Sequence, residues 1–167
     1  MAPSTKPVDT TSEPSPPPTT PVVDTLKQEE RVPNLSLPNP KISLVNTLLG
    51  HTSSVRSLAI SPDNTTIVSG SYDNTIKVWD LATGQLKATL TGHSSEIESV
   101  AISTDNSTIV SASGDKTVKV WDLKTGELKA TLTNHKDWIW SVAVSSDNTA
   151  IVSGTTDNII NLWKVSP

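Results

Sequence analysis

From Lys41 onward the chain is written in short runs of alternating apolar and polar residues, each bounded by turn residues. Val55 to Ile60, Thr66 to Gly70, Thr75 to Trp79 and Leu86 to Leu90 are the first such runs. Period-2 alternation over short stretches rich in Val, Ile and Thr predicts strands. SPDN at Ser61–Asn64, YDN at Tyr72–Asn74 and ATG at Ala82–Gly84 predict the turns between them. The plan recurs at Ile97–Ile102, Thr108–Ala112, Thr117–Trp121 and Leu128–Leu132. It recurs once more at Ile139–Val144, Ala150–Gly154 and Ile159–Trp163, this time without a fourth run. The period does not drift: Trp79, Trp121 and Trp163 stand 42 residues apart, as do His51, His93 and His135.

Lys41 to Leu49 fits the same ruler. Shifted by 42, Leu44 falls on Leu86, Leu48 on Leu90 and Gly50-His51 on Gly92-His93. This segment therefore matches the fourth strand that the last unit lacks. A fixed period of this length, carrying strand groups and a Gly-His…Trp-Asp signature, reads as propeller blades. The stretches GH…SGSYDNTIKVWD, GH…SASGDKTVKVWD and NH…SGTTDNIINLWK resemble the WD-repeat (WD40) β-propeller family over about three quarters of the chain. They are also similar to the very regular repeats of bacterial, especially cyanobacterial, WD-repeat proteins. The third unit departs from the pattern twice, with Asn134 for Gly and Lys164 for Asp. The expected fold is all-β: three blades of four antiparallel strands, forming a partial propeller. Residues 41–49 form an outer strand completing the last blade, and the repeats run 50–91, 92–133 and 134–167.

Residues 1–40 read differently. They hold ten of the chain's twelve prolines, with Ser and Thr between them. Proline removes backbone donors, so a disordered Pro/Ser/Thr-rich linker is expected. Val23 to Arg31 could form a helical turn or two, too short to stand alone. A Pro-rich ligand for a partner domain is the rival to a spacer. No apolar region at the N-terminus resembles a secretory signal, and no run has the length of a membrane span. A net charge of −4 gives no basic surface for nucleic acid. With no Cys, thiolate metal sites are excluded, and a reducing, cytoplasmic setting is expected. Neither nucleic acid nor membrane is expected as a partner.

Each unit carries a Ser, an Asp and a His at fixed spacing: Ser69, Asp73 and His51; Ser111, Asp115 and His93; Ser153, Asp157 and His135. Such a set invites a hydrolase reading. Against it, the set recurs in every unit, whereas a catalytic site is made once from residues in different roles. No G-x-S-x-G elbow is present. Each set also travels with a Trp (Trp79, Trp121 or Trp163). The WD-repeat resemblance implies a buried Trp–Ser–His–Asp hydrogen-bond network that pins strands together. Metal binding by the three His is not expected, because none has a second ligand at i+3 or i+4. No cofactor is expected, since the glycines are scattered and cradle no phosphate.

Units one and two agree at 29 of 42 positions, so their differences stand out. Ser54, Glu96 and Trp138 share one variable position; Arg56, Glu98 and Trp140 share a second; Tyr72, Gly114 and Thr156 share a third. In the family this one resembles, these positions border the narrow face around the central channel, where partners bind. Aromatic and Arg residues there mark interface hot spots. The alternative for Trp138 and Trp140 is packing over the channel rim or a neighbouring blade. Ser54, Arg56, Tyr72, Glu96, Glu98, Trp138, Trp140 and Thr156 are the candidate partner-binding residues. The functional expectation is a non-catalytic scaffold that binds a protein or peptide. The alternatives are a sensor or remnant of a larger signalling protein and, behind that, a hydrolase using Glu96 and Glu98 on a solvated face.

Propellers have 4–8 blades, and three do not close. The expected oligomer is a homodimer forming a six-blade ring, with each chain's Leu44–Leu48 strand finishing the other's last blade. Association with blades of another protein is the alternative.

Overall fold

A computed structural model describes residues 41–166. Among these residues there is no helix, and the chain forms three antiparallel sheets. The first runs β1 (Val55–Ile60), β2 (Thr66–Ser71), β3 (Ile76–Asp80), β4 (Leu86–Leu90), each strand bonded to the next. The second repeats this as β5 (Ile97–Ile102), β6 (Thr108–Ser113), β7 (Val118–Asp122), β8 (Leu128–Leu132). The third has β9 (Ile139–Val144), β10 (Ala150–Thr155) and β11 (Ile160–Lys164). Three sheets with this strand order are propeller-type blades, and the strand positions read from the alternation hold to within a residue or so.

Local chemistry explains the turns. Asn64, Asn106 and Asn148 take φ of 56–59°, and Asn74, Lys116 and Asn158 take 65–68°. Asn tolerates this left-handed region better than other side chains, because its amide bonds locally to the backbone. Lys116 has no such excuse.

The sheets pack face to face in a row. Val68, Ile76 and Val78 of the first are buried with Ile97 and Val100 of β5. At Gly70 an added Cβ would lie 2.6 Å from Ile97 Cγ2, so the missing side chain is what lets the second sheet approach. Val110, Ala112 and Val118 of the second sheet are buried in turn with Ile139 and Val142 of β9. Full burial contributes about 1.5–3 kcal/mol per Val or Ile side chain, so these two seams hold the row together. β1 packs along β5 and β5 along β9, with no comparable packing between β1 and β9.

Among the described residues the third sheet has three strands. Residues 41–49 run without strand pairing, and Asn46 Nδ2 donates to Thr83 O at 3.2 Å. The segment lies beside the first sheet, and the free edge that it matches belongs to β11 in the third. The expected linker and the Val23–Arg31 helical turn lie outside the described residues.

Candidate functional site: buried networks and a variable face

In each of the first two blades, a loop before the inner strand brings His back over the sheet that carries its Ser and Trp. His51 Nδ1 lies 2.7 Å from Asp73 Oδ2, and its Nε2 lies 2.7 Å from Ser69 Oγ. Trp79 Nε1 donates to the same Oγ at 2.8 Å. The second blade repeats the set: His93 to Asp115 at 2.7 Å, His93 to Ser111 at 2.8 Å, Trp121 to Ser111 at 2.8 Å. One proton arrangement satisfies every member: Trp N–H to Ser, Ser O–H to His Nε2, His Nδ1–H to Asp. Ser111 is fully buried and Ser69 nearly so. A hydroxyl with both roles used and no path to solvent is a structural member, so these sets lack the access a nucleophile needs.

Two network members escaped the sequence reading. Thr75 Oγ1 donates to Asp73 Oδ1 at 2.6 Å, and Thr117 Oγ1 to Asp115 Oδ1 at 2.7 Å. Backbone amides of Thr52 and Ser94 add bonds of 3.0 Å to the other carboxylate oxygen. Burial works to raise the Asp73 and Asp115 pKa values, but the bonds from Thr and His outweigh it and hold both carboxyls well below the usual range. The missed signal was in plain view: positions 75, 117 and 159 read Thr, Thr, Ile.

The third set is open. His135 Nε2 still meets Ser153 Oγ at 2.8 Å, and Trp163 Nε1 reaches it at 3.1 Å. His135 Nδ1, however, is buried with no partner. Ile159 supplies no hydroxyl, and Asp157 instead accepts a close hydrogen bond from Thr155 Oγ1. Asn134 replaces the Gly whose φ of +149° at Gly92 lets the Trp121 ring come within 3.2 Å of where a Cβ would sit. Burial pushes the His135 pKa down.

The three variable positions converge. Tyr72 N donates to Ser54 O at 2.9 Å; Gly114 N to Glu96 O and Thr156 N to Trp138 O each span 3.0 Å. Between them the pairing register slips at Arg56, Glu98 and Trp140, each the extra residue of a β-bulge. A bulge re-aims a side chain, and strict alternation could not have foreseen it. Arg56 Cζ sits 5.0 Å above the Tyr72 ring. Trp138 and Trp140 are 40% and 51% exposed. Ser54 and Thr156 are exposed, and Glu96 is half-buried with its carboxylate taken by Ser95 Oγ.

Glu98 is a correction. It was expected on a solvated face, yet it is buried, with Oε2 3.3 Å from Arg56 Nε of the preceding blade. Its Oε1 has no partner among the described residues. The bulge turns it into the boundary between blades, where it belongs to the framework. Among the described residues no group of three His, Cys, Asp or Glu is placed to hold a metal.

Blades of this order, each built on a Ser-His-Asp-Trp frame, make this a repeat protein of the propeller class. The family described as "WD domain, G-beta repeat" matches residues 42–80, 84–122 and 126–164, so the chain belongs to the WD40 family. WD40 repeats indicate a protein-interaction scaffold. The chain is 42% identical over 60 residues to "Pleiotropic regulator 1" of Bos taurus, covering 35% of this chain and 12% of the relative. It is 47% identical over 49 residues to "Pre-mRNA-splicing factor prp46" of Aspergillus fumigatus, covering 29% and 11%. It is 38% identical over 64 residues to "Protein Mut11" of Chlamydomonas reinhardtii, covering 37% and 17%. The chain thus spans less than a fifth of the length of these curated relatives, all from eukaryotes.

Proposed function

We propose that this chain is a non-catalytic scaffold whose variable face binds a protein or peptide partner, with Trp138 and Trp140 as the anchors. What supports this reading is the exposure of two Trp side chains at one bulge, where the other units place Ser54, Arg56, Glu96 and Glu98. Large aromatics left wet beside a polar rim are the usual composition of a hot spot. The Arg56–Tyr72 stack and the Ser54 and Thr156 hydroxyls form that rim. The likeness to a splicing factor supports the repeat, not a splicing partner, because it covers so little of that protein. The drift-free period supports the finer placement among bacterial WD-repeat proteins. A cysteine-free composition supports a cytoplasmic setting. The blade row works as part of a larger ring.

Selection from a random peptide display library tests the face. Enriched peptides sharing one motif should bind a folded Trp138→Ala, Trp140→Ala double variant at least tenfold more weakly. A shared motif with undiminished binding to that variant would move the site elsewhere.

A further inference from the structure

We propose that a second copy of this chain covers both open ends of the blade row, closing a twofold ring of six blades. The inference goes beyond the scaffold reading and stands whatever the face binds.

The two ends carry matching halves of a seam that the row already contains twice. On the inner strands, Ile97 and Val100 of β5 are buried against the first sheet, and Ile139 and Val142 of β9 against the second. Their counterparts on β1, Val55 and Leu58, are 48% and 67% exposed. Ile76 and Val78 are buried in the same cluster as Ile97 and Val100, while their counterparts on β11, Ile160 and Leu162, are 78% and 73% exposed. One end lacks the partner that the other end supplies. The fit extends to shape. Gly70 is covered by Ile97 and Val100, whereas nothing lies within 4 Å of a Cβ built on Gly154. Val142, Val152, Gly154 and Ile160 instead line a hollow of about 270 Å3. Val55 and Leu58 of a second copy are the residues that fill it.

Polar contacts continue in register. Val100 N donates to Ser57 Oγ at 3.0 Å across the first seam, and Val142 N to Ser99 Oγ at 3.3 Å across the second. The next pair in the series is Leu58 N of the second copy with Ser141 Oγ. The outer edge of β11 is filled in the same way. Leu90 pairs with Ile76 and Leu86 with Trp79 in the first sheet, and the second repeats this with Leu132 and Leu128. The corresponding register places Leu48 and Leu44 of the second copy opposite Ile160 and Trp163. In its own chain Leu44 is 86% exposed and unpaired.

An end-to-end contact of this kind makes rings or filaments. Propellers run from 4 to 8 blades, so two three-blade rows fit and three rows do not. Closure also completes the variable face. Arg56 meets Glu98 across the first seam, and at the new seam the second copy's Arg56 meets Trp140, a cation–aromatic pair.

Light scattering on the 167-residue chain at micromolar concentration should give twice the 17.8 kDa of one chain. Leu58→Asp and Leu162→Asp, each exposed in the single row, should separately give monomers. Their equimolar mixture should recover the dimer, because it contains one unaltered seam. Should either variant fail to fold, single-cysteine variants read the seam directly, since the chain has no native Cys. Mixing Leu58→Cys with Ser141→Cys and adding a short thiol cross-linker should give at least tenfold more two-chain product than either variant alone. A wild-type monomer, a mass of three or more chains, or cross-linking no greater in the mixture would each overturn the proposal.

Discussion

The second and third blades share their Ser, His and Trp but not the network these residues make. In the second, His93 bonds at both ring nitrogens, and Asp115 is gripped by Thr117 and a backbone amide. In the third, His135 holds Ser153 with one nitrogen and leaves the other buried and unpaired. Conspicuous residues are therefore not sufficient. The network closes only when their companions, Gly92 and Thr117, are also present. Asn134 and Ile159 stand at those places in the third blade. The first two blades also end in an Asp that binds a Lys; the Lys87 bond helps hold Asp80 down to about 2, and the third blade has Lys164 instead.

The sharpest way to break this comparison is to remove the carboxylate from each side. Asp115→Ala strands a buried imidazole N–H and should cost about 1–3 kcal/mol in denaturant unfolding, whereas Asp157→Ala should stay within about 0.5 kcal/mol. Equal losses would show that the third network forms in solution. Repair is the next test. Ile159→Thr, combined with Asn134→Gly, should raise stability by about 0.5–1.5 kcal/mol by giving Asp157 the donor its counterparts have. A loss would mean that Ile159 packs usefully where it is.

A smaller effect comes from pH. A His whose folded pKa is depressed binds fewer protons folded than unfolded between that value and its ordinary one near 6.5. His135 therefore withdraws stability as pH falls below about 6.5. Melting followed from pH 7 to 5 should show a decline that His135→Gln removes. The depressed Asp73 and Asp115 carboxyls act in the opposite window: their stabilisation is complete above the unfolded pKa and is lost only in strong acid. The smallest expected change is at Lys116, whose φ of 68° is shared with Asn at the equivalent turns. Lys116→Asn should gain about 0.5 kcal/mol in a thermal melt.

Strand positions and turns were both legible, because alternation and Asn-marked turns are local properties of a few consecutive residues. The clustering of Ser54 with Tyr72, and of Trp138 with Thr156, was legible only as a coincidence of variable positions. A backbone hydrogen bond between the two turns is what makes each pair a site. Glu98 was misplaced, since a one-residue bulge and a neighbour 42 residues away decide its burial.

By itself, the sequence determined the repeat: which residues form strands, where each unit turns, and which Ser, His and Trp recur. Those outcomes follow from side-chain pattern and backbone preference over short stretches. Tertiary structure alone decided the rest. It closed two networks and left the third open, buried Glu98 against Arg56, and stripped Val55, Leu58, Ile160 and Leu162 of the cover their counterparts enjoy. Burial is a property of neighbours, and equivalent positions in consecutive units have different neighbours.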